Sequence, residues 1–277
     1  MAITMNIPLL IFTDLDGSLL DHHSYSFSGA EETLTRLHQL NVPLILTSSK
    51  TRAEIETLQH RLGLNEPFIP ENGGGIFLPQ DHPLLNVTDM QRLNGFHIKQ
   101  FGRPYSEIRK IFQTVKDKYK LKGFGDMTVD EIINYTGLDQ QDAFLARQRD
   151  FSEPFLFLDE TELQALKNEL TGHGLTVTRG GRFYHLISAK QDKGRAVTET
   201  IKLFQAGHRE KIATVGVGDA ENDFSMLEVV DIPVLIPKPD GSYANIDLDG
   251  LRKAPFPGSK GWGVSIMAIL EEFEKNH

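Results

Sequence analysis

Leu9-Leu10-Ile11-Phe12-Thr13-Asp14-Leu15-Asp16-Gly17-Ser18-Leu19 is the stretch from which this chain reads outward. The apolar run Leu9 to Phe12 is too short to span a membrane and has the length of a buried strand. Two carboxylates, Asp14 and Asp16, follow it two residues apart, and then a glycine. The first can attack phosphorus, both can face a Mg²⁺ ion, and Gly17 lets backbone amides approach a phosphate. A second acidic strand end, Gly216-Val217-Gly218-Asp219-Ala220-Glu221-Asn222-Asp223, follows the apolar run Ile212-Ala213-Thr214-Val215. Two such ends near opposite termini point to one metal site assembled by the fold.

The chain has 277 residues, which suggests two domains. Its 39% apolar and 24% charged residues are ordinary for a globular protein. No segment is long and apolar enough for a membrane span, and no basic region precedes the first apolar run, so neither a membrane nor a signal peptide is expected. There is no cysteine, which excludes disulfides, thiolate metal sites and cysteine nucleophiles and suits a cytoplasmic location. The net charge of −9 argues against nucleic acid as a partner, since phosphate backbones would be repelled. A small anionic substrate stays compatible, because a metal and a few lysines can reverse the sign inside one cleft. Oligomeric state is not legible.

The first 80 residues alternate strand and helix. Strands are expected at Leu9 to Thr13, Pro43 to Thr47 and Phe68 to Pro70, and helices at Gly29 to Leu40 and Arg52 to Leu62, the second stopped by Gly63. Such order implies a parallel sheet that binds ligands at the carboxyl ends of its strands. From about Val87 the order turns irregular. Helices are expected at Tyr105 to Lys118, Asp130 to Tyr135, Gln140 to Arg147 and Glu160 to Leu170, with Asp159 and Glu162 as a capping pair. Strands are expected at Pro154 to Leu158, Leu175 to Thr178 and Phe183 to Ile187. After Lys193 the alternation resumes: a helix to Phe204, strands Ile212 to Val215 and Ile232 to Ile236, a helix Asn222 to Val230 and a last helix Val264 to Lys275, where Trp262 and its neighbours serve packing. The stretch Lys238 to Lys260 reads as loop. The expected architecture is α/β, with one domain from 1–86 and 188–277 and an inserted α+β domain at 87–187.

Alone, Asp14-x-Asp16-Gly17 could be a turn. An EF-hand loop does not fit, because Leu19 stands where its glycine would fall. Phosphotransfer needs three further parts. Ser48, in Thr47-Ser48-Ser49, supplies a hydroxyl at the second strand's end. Lys193, in Asp192-Lys193-Gly194, supplies a cation at a helix start. Asp219 supplies a later acidic metal ligand, with Asp223 four residues on. A dinucleotide turn at Gly216-x-Gly218 lacks its third glycine, since Glu221 stands there.

These four parts, in this order, resemble the haloacid dehalogenase phosphatase superfamily. Ser48-Ser49-Lys50-Thr51, Glu71-Asn72-Gly73-Gly74-Gly75, Gly180-Gly181-Arg182-Phe183-Tyr184-His185 and Asp192-Lys193-Gly194-Arg195-Ala196 narrow the similarity to the mannosyl-3-phosphoglycerate phosphatase family, from Leu10 to about Val234. Ser18 replaces the usual threonine and keeps the hydroxyl. The resemblance implies a Rossmann-like core with a C2-type cap and an aspartyl-phosphate mechanism. Asp14 is the nucleophile and Asp16 the acid and base, while Ser48 and Lys193 hold the phosphoryl group. Mg²⁺ is bound by Asp14, the Asp16 carbonyl and Asp219, and Asn222 and Asp223 orient Asp219 and Lys193 or reach the metal through water. Lys50, Glu71, Asn72, Gly180, Gly181 and Arg182 are the expected substrate contacts, with Arg182 facing a carboxylate through its planar fork. His185 reads equally as a packed histidine. The implied substrate is mannosyl-3-phosphoglycerate. A glucosyl substrate, a broader range of sugar phosphates, a phosphomutase and a phospho-accepting signalling domain are the alternatives.

Overall fold

The computed structural model describes residues 8–83, 90–93, 95–157, 162–180 and 183–276. Strand β1 (Leu9–Thr13) is buried throughout, and α1 (Glu31–Leu40) follows a 3₁₀ turn. Strand β2 (Leu44–Thr47) leads to α2 (Arg52–Leu62). Helix α2 opens on a capping box, in which Thr51 Oγ1 accepts from Glu54 N at 3.1 Å and Glu54 Oε2 accepts from Thr51 N at 2.8 Å. Strand β3 (Phe68–Ile69) is followed by β4 (Gly75–Pro79), β5 (Gln91–Leu93) and β6 (Phe96–Gln100). Next come α3 (Tyr105–Val115), β7 (Leu121–Gly123), α4 (Val129–Thr136), α5 (Gln140–Ala146) and β8 (Ser152–Phe157). Helix α6 (Leu163–Thr171) and strands β9 (Leu175–Gly180) and β10 (Phe183–Ser188) complete the inserted block. Asp159, half of the expected capping pair, lies outside the described residues, and Glu162 makes no side-chain cap. Then follow α7 (Lys193–Ala206), β11 (Ala213–Gly218), a 3₁₀ turn at Glu221–Asp223, α8 (Phe224–Glu228), β12 (Ile232–Leu235), β13 (Arg252–Lys253) and α9 (Gly258–Asn276). Helix α9 starts earlier than expected because Asp21 Oδ1 accepts from Ser259 N at 2.9 Å, a cap from distant sequence.

The described strands form two sheets, in the orders β13-β12-β11-β1-β2-β3-β4-β6-β5 and β7-β8-β10-β9. From β13 to β3 the larger sheet is parallel, and β4, β6 and β5 extend it antiparallel. Leu9 and Ile11 of β1 join α1, α2 and α9 on one face, where Trp262 is wholly buried. Leu10 and Phe12 join α7 and α8 on the other. Burial on both faces is why the parallel strands read as unbroken apolar runs.

The inserted block is smaller than the expected 87–187, because β5 and β6 pair within the larger sheet. It begins after Gln100. Its own sheet is antiparallel, and α3 and α6 cover one face through Ile108, Phe112, Leu166 and Leu170. The hairpin α4–α5 packs as a second small core and reaches the larger domain, where Thr51 Oγ1 donates to Leu145 O at 3.0 Å.

Candidate active site

Strand β1 ends at Thr13, so Asp14 stands at the carboxyl edge of the sheet with its N–H donating to Val217 O of β11 at 2.8 Å. Behind it, Trp262 Nε1 donates to Thr13 Oγ1 at 2.9 Å, and that hydroxyl donates to the Asp14 carbonyl at 2.7 Å. The chain then turns. Gly17 lies at φ +85°, its N–H donates to Leu20 O, and Asp16 bridges to Leu20. In a continued strand Asp14 and Asp16 would share one face, and the turn frees the direction of Asp16 from that alternation. A β-carbon at Gly17 would lie 2.5 Å from Asp219 Oδ2, so this position is both left-handed and a close approach that only glycine fills.

Lys193 enters from the first turn of α7, whose N-cap Asp192 accepts from Arg195 N at 2.8 Å. Its Nζ is 2.6 Å from Asp14 Oδ1 and 2.6 Å from Asp223 Oδ1. The other Asp223 oxygen accepts from Asp219 N at 3.0 Å and Ala220 N at 3.1 Å. Asp223 therefore orients both Lys193 and the Asp219 loop. Carboxylate oxygens of Asp14, Asp219 and Asp223 lie within 4.8 Å of one another, all buried. Burial works against the Lys193 charge, yet Asp14 and Asp223 hold its pKa above the ordinary value. Burial pushes the pKa of Asp14 up against the opposing pull of Lys193, and burial with Asp223 and Asp14 pushes Asp219 up. Three carboxylates facing one ammonium in a dry site leave an excess of negative charge. Hard oxygen donors with that excess fit a divalent cation.

Ser48 follows β2, buried, with its N–H on Ile69 O and its hydroxyl accepting from Lys50 N at 3.3 Å. Lys50 is placed on Asp16: Nζ lies 3.1 Å from Asp16 Oδ2, 3.4 Å from Glu54 Oε1 and 5.1 Å from the Tyr25 ring centre. Burial opposes its charge, and Asp16 and Glu54 more than restore it, raising its pKa.

Glu71 departs from the expected substrate contact. Glu71, Asn72 and Gly73 have φ of 51°, 57° and 87°. In this strained turn the Glu71 carboxylate points to the inserted block, where it accepts from Asp150 N at 2.7 Å, Phe151 N at 3.1 Å and Ser152 Oγ at 2.5 Å, while Gln191 Nε2 donates to its carbonyl at 2.5 Å. The carboxylate thus holds residues 150–152 of the inserted block, the Glu71 carbonyl holds Gln191, and the residue is fully buried. Asn222 also differs from expectation, since its Nδ2 donates to Asn72 Oδ1 at 3.1 Å instead of orienting Asp219 or Lys193. The other amide atom of Asn72, on a side chain 3% exposed, has no partner among the described residues. Gly180, at the end of β9, reaches this pair from the inserted block: its vacant β-carbon position is 3.5 Å from Asn222 Nδ2. Gly181 and Arg182 lie outside the described residues.

Two residues that sequence reasoning left out or set aside stand at the seam. Arg149 donates to Ser49 O at 2.8 Å and Ala146 O at 2.9 Å and lies 3.9 Å from Glu71 Oε2. It belongs to no motif, and only its neighbour Asp150 before a strand hinted at a junction. His185 is buried on β10 near Lys193 and Arg149, whose charges add to burial and lower its pKa to about 3.

Known proteins resemble this chain in sequence and in fold. A family model described as haloacid dehalogenase-like hydrolase matches residues 11–237. A protein of Persephonella marina named glucosyl-3-phosphoglycerate/mannosyl-3-phosphoglycerate phosphatase is 47% identical over 267 residues, covering 96% of this chain and 99% of that one. A protein of the same name from Methanococcoides burtonii is 38% identical over 265 residues, covering 94% and 97%. A solved haloacid dehalogenase-like hydrolase from B. subtilis superposes with a TM-score of 0.63 at 18% identity, covering 93% of this chain and 98% of that one. No described helix is long and apolar enough to cross a membrane.

Proposed function

Since the chain belongs to the haloacid dehalogenase-like hydrolases, we propose that it hydrolyses glycosyl-3-phosphoglycerates, with mannosyl and glucosyl forms both as candidates, to the glycosylglycerate and phosphate. The observation that carries this reading is Asp14 at the sheet edge, 2.6 Å from Lys193 and clustered with Asp219 and Asp223. The relatives named for this substrate cover nearly the whole chain and support the substrate class.

Asp14 attacks phosphorus, an aspartyl-phosphate bond forms, and the P–O bond to the glycerate oxygen breaks. Asp16 gives its proton to that leaving oxygen and then takes one from the water that hydrolyses the aspartyl-phosphate. Lys193, held by Asp223, and Ser48 bind phosphoryl oxygens as charge spreads over them. Mg²⁺ would be held by Asp14, Asp219 and the Asp16 carbonyl, and it would offset the repulsion between a carboxylate and a phosphate dianion. The inserted block serves as a cap that excludes water. Arg182, with Gly180 and Gly181, remains our candidate for the glycerate carboxylate. Asn72 faces the cap seam with one unpaired amide atom, and Lys50 is close enough to Asp16 to meet the leaving group.

A phosphate-release panel over glycosyl-3-phosphoglycerates, hexose phosphates and 3-phosphoglycerate, with and without Mg²⁺, tests the reading. The expected result is Mg²⁺-dependent release, highest with the glycosyl-phosphoglycerates and abolished in Asp14→Asn. Equal rates across the panel would leave a broad sugar phosphatase. A single burst without turnover would point to a phospho-accepting domain instead.

A further inference from the structure

His185 stands on the face of the cap sheet that looks toward the larger domain. Its neighbours Tyr184 and Leu186 point the other way, into the apolar core under α3 and α6. In the antiparallel ladder His185 pairs with Thr178 of β9 and Pro154 of β8, so these three share its face. The β-carbon position of Gly180 lies 3.6 Å from His185 Nε2 and 3.5 Å from Asn222 Nδ2. Gly180 thus lies between the imidazole and Asn222, and Asn222 is on the loop that carries Asp219 and Asp223.

Two polar atoms at this seam lack partners. His185 is 4% exposed, and its Nδ1 has no hydrogen bond from any described residue. Asn72, joined to Asn222, has the same deficit at Nδ2. Turning over the Asn72 amide alone would set two NH2 donors against each other, and turning over both amides would only exchange which Asn72 atom is unpaired. Buried polar atoms without partners cost free energy, and packing alone would be met better by leucine or phenylalanine at 185. Two such atoms at one seam, with the ring close enough to Lys193 to feel its charge, indicate a partner that is not part of the chain.

The kind of partner follows from charge. Burial above all, and then the positive charges of Arg149 and Lys193, keep the ring neutral. A neutral imidazole has one N–H donor and one acceptor nitrogen, which matches a hydroxyl group. It suits an anion less well, and the proposed function already assigns the phosphoryl group to Lys193 and the glycerate carboxylate to Arg182. We infer that His185 is a specificity-determining residue whose ring nitrogen hydrogen-bonds a hydroxyl of the glycosyl-glycerate leaving group in the closed cap, beside the Asn72 amide. The inference rests on the function proposed above.

The test compares three substrates in three proteins. For wild type, His185→Leu and His185→Gln, kcat/KM is measured with mannosyl-3-phosphoglycerate and glucosyl-3-phosphoglycerate and with p-nitrophenyl phosphate, which has no hydroxyl on its leaving group. The ratio of glycosyl to nitrophenyl values should fall roughly 5- to 100-fold in His185→Leu, the loss of one hydrogen bond that leaves a buried hydroxyl unpaired. His185→Gln, which keeps a donor and an acceptor, should retain more of the ratio than leucine. Thermal melting accompanies each variant, and should His185→Leu fail to fold, the ratio in His185→Gln decides. A ratio within twofold of wild type in the folded variants overturns the inference and marks the ring as packing, with a trapped water on Nδ1. If wild type itself shows no preference for the glycosyl substrates, the functional reading fails first, and that result is read without any variant.

Discussion

Glu71→Gln is the perturbation whose outcome depends most directly on the geometry of the cap junction. The Glu71 carboxylate is fully buried, accepts three hydrogen bonds from residues 150–152 and stands 3.9 Å from Arg149. Burial raises its pKa from 4.5 to about 7, against Arg149 and the donors Ser152 and Asp150, which lower it. An acid with a folded pKa above its unfolded value keeps its proton longer in the folded state. Its stability contribution is complete below pH 4.5 and is lost as pH rises through 7. Each pH unit inside that window removes about 1.4 kcal/mol, so the whole window amounts to roughly 3 kcal/mol. Glutamine cannot ionise, and the variant should lack this slope. The assay is urea unfolding at steps from pH 4.5 to 8, followed by fluorescence of the single tryptophan, Trp262, which is fully buried in the larger domain. Groups common to both proteins, including the metal-site carboxylates, cancel in the difference. Wild type should lose stability relative to Glu71→Gln by about 2–3 kcal/mol between pH 5 and 7.5. Parallel curves would refute the argument and mean that the hydrogen bonds hold the carboxylate ionised.

His185 gives the opposite limb. Its folded pKa, lowered to about 3 by burial, Arg149 and Lys193, makes stability complete above pH 6.5 and progressively lost toward pH 3. His185→Leu should remove about 2 kcal/mol of that loss at pH 5 in the same unfolding series, and an unchanged slope would contradict the burial argument. Gly17→Ala drives a β-carbon onto Asp219 Oδ2 at a left-handed position. It should lose Mg²⁺ affinity by calorimetric titration, and wild-type affinity would show that Asp219 does not meet the cation there. Asp223→Asn removes one of two anchors of Lys193, so kcat should fall about 10- to 150-fold, the worth of a charge-assisted hydrogen bond, with a smaller change in KM. Steady-state kinetics decides, and a loss confined to KM would speak against a role in the chemical step.

Residues whose surroundings are local were legible. The strand preceding Asp14 reads from sequence because both its faces are covered, and the helix start at Lys193 reads because Asp192 caps it. Strands β4 to β6 were not assigned to the larger sheet, since β4 is a short apolar run straight after a glycine turn, β5 is three exposed residues, and the alternation of Phe96-His97-Ile98-Lys99-Gln100 marks a strand without saying which sheet it joins. The cap boundary moved for that reason. Glu71 was assigned to the substrate from its motif, but a left-handed backbone turns its side chain toward whatever waits there. Residues 150–152 do, some eighty positions on. Arg149 was missed because its partners are backbone carbonyls, and a carbonyl leaves no mark in a sequence.

The sheet order explains why the scattered motifs converge. Strands β2 and β11 flank β1 directly, so the loops that follow the three strands share one edge. Ser48 comes from one side of Asp14, and Asp219 and Asp223 come from the other. Helix α7 packs on the face of β1 that carries Leu10 and Phe12, which sets Lys193 beneath the same edge. A single parallel arrangement thus delivers a nucleophile, a hydroxyl, an ammonium and two further acids without any of them being neighbours in sequence. The acids alone would repel one another in so dry a place. Lys193 lies between Asp14 and Asp223, and in the proposed mechanism it separates the carboxylate that attacks from the one that only holds. The Asp223 carboxylate is fully engaged, by Lys193 on one oxygen and two amides on the other. Asp14 has one oxygen on Lys193 and none of these amide bonds, which fits the proposed division in which Asp14 attacks and Asp223 aligns.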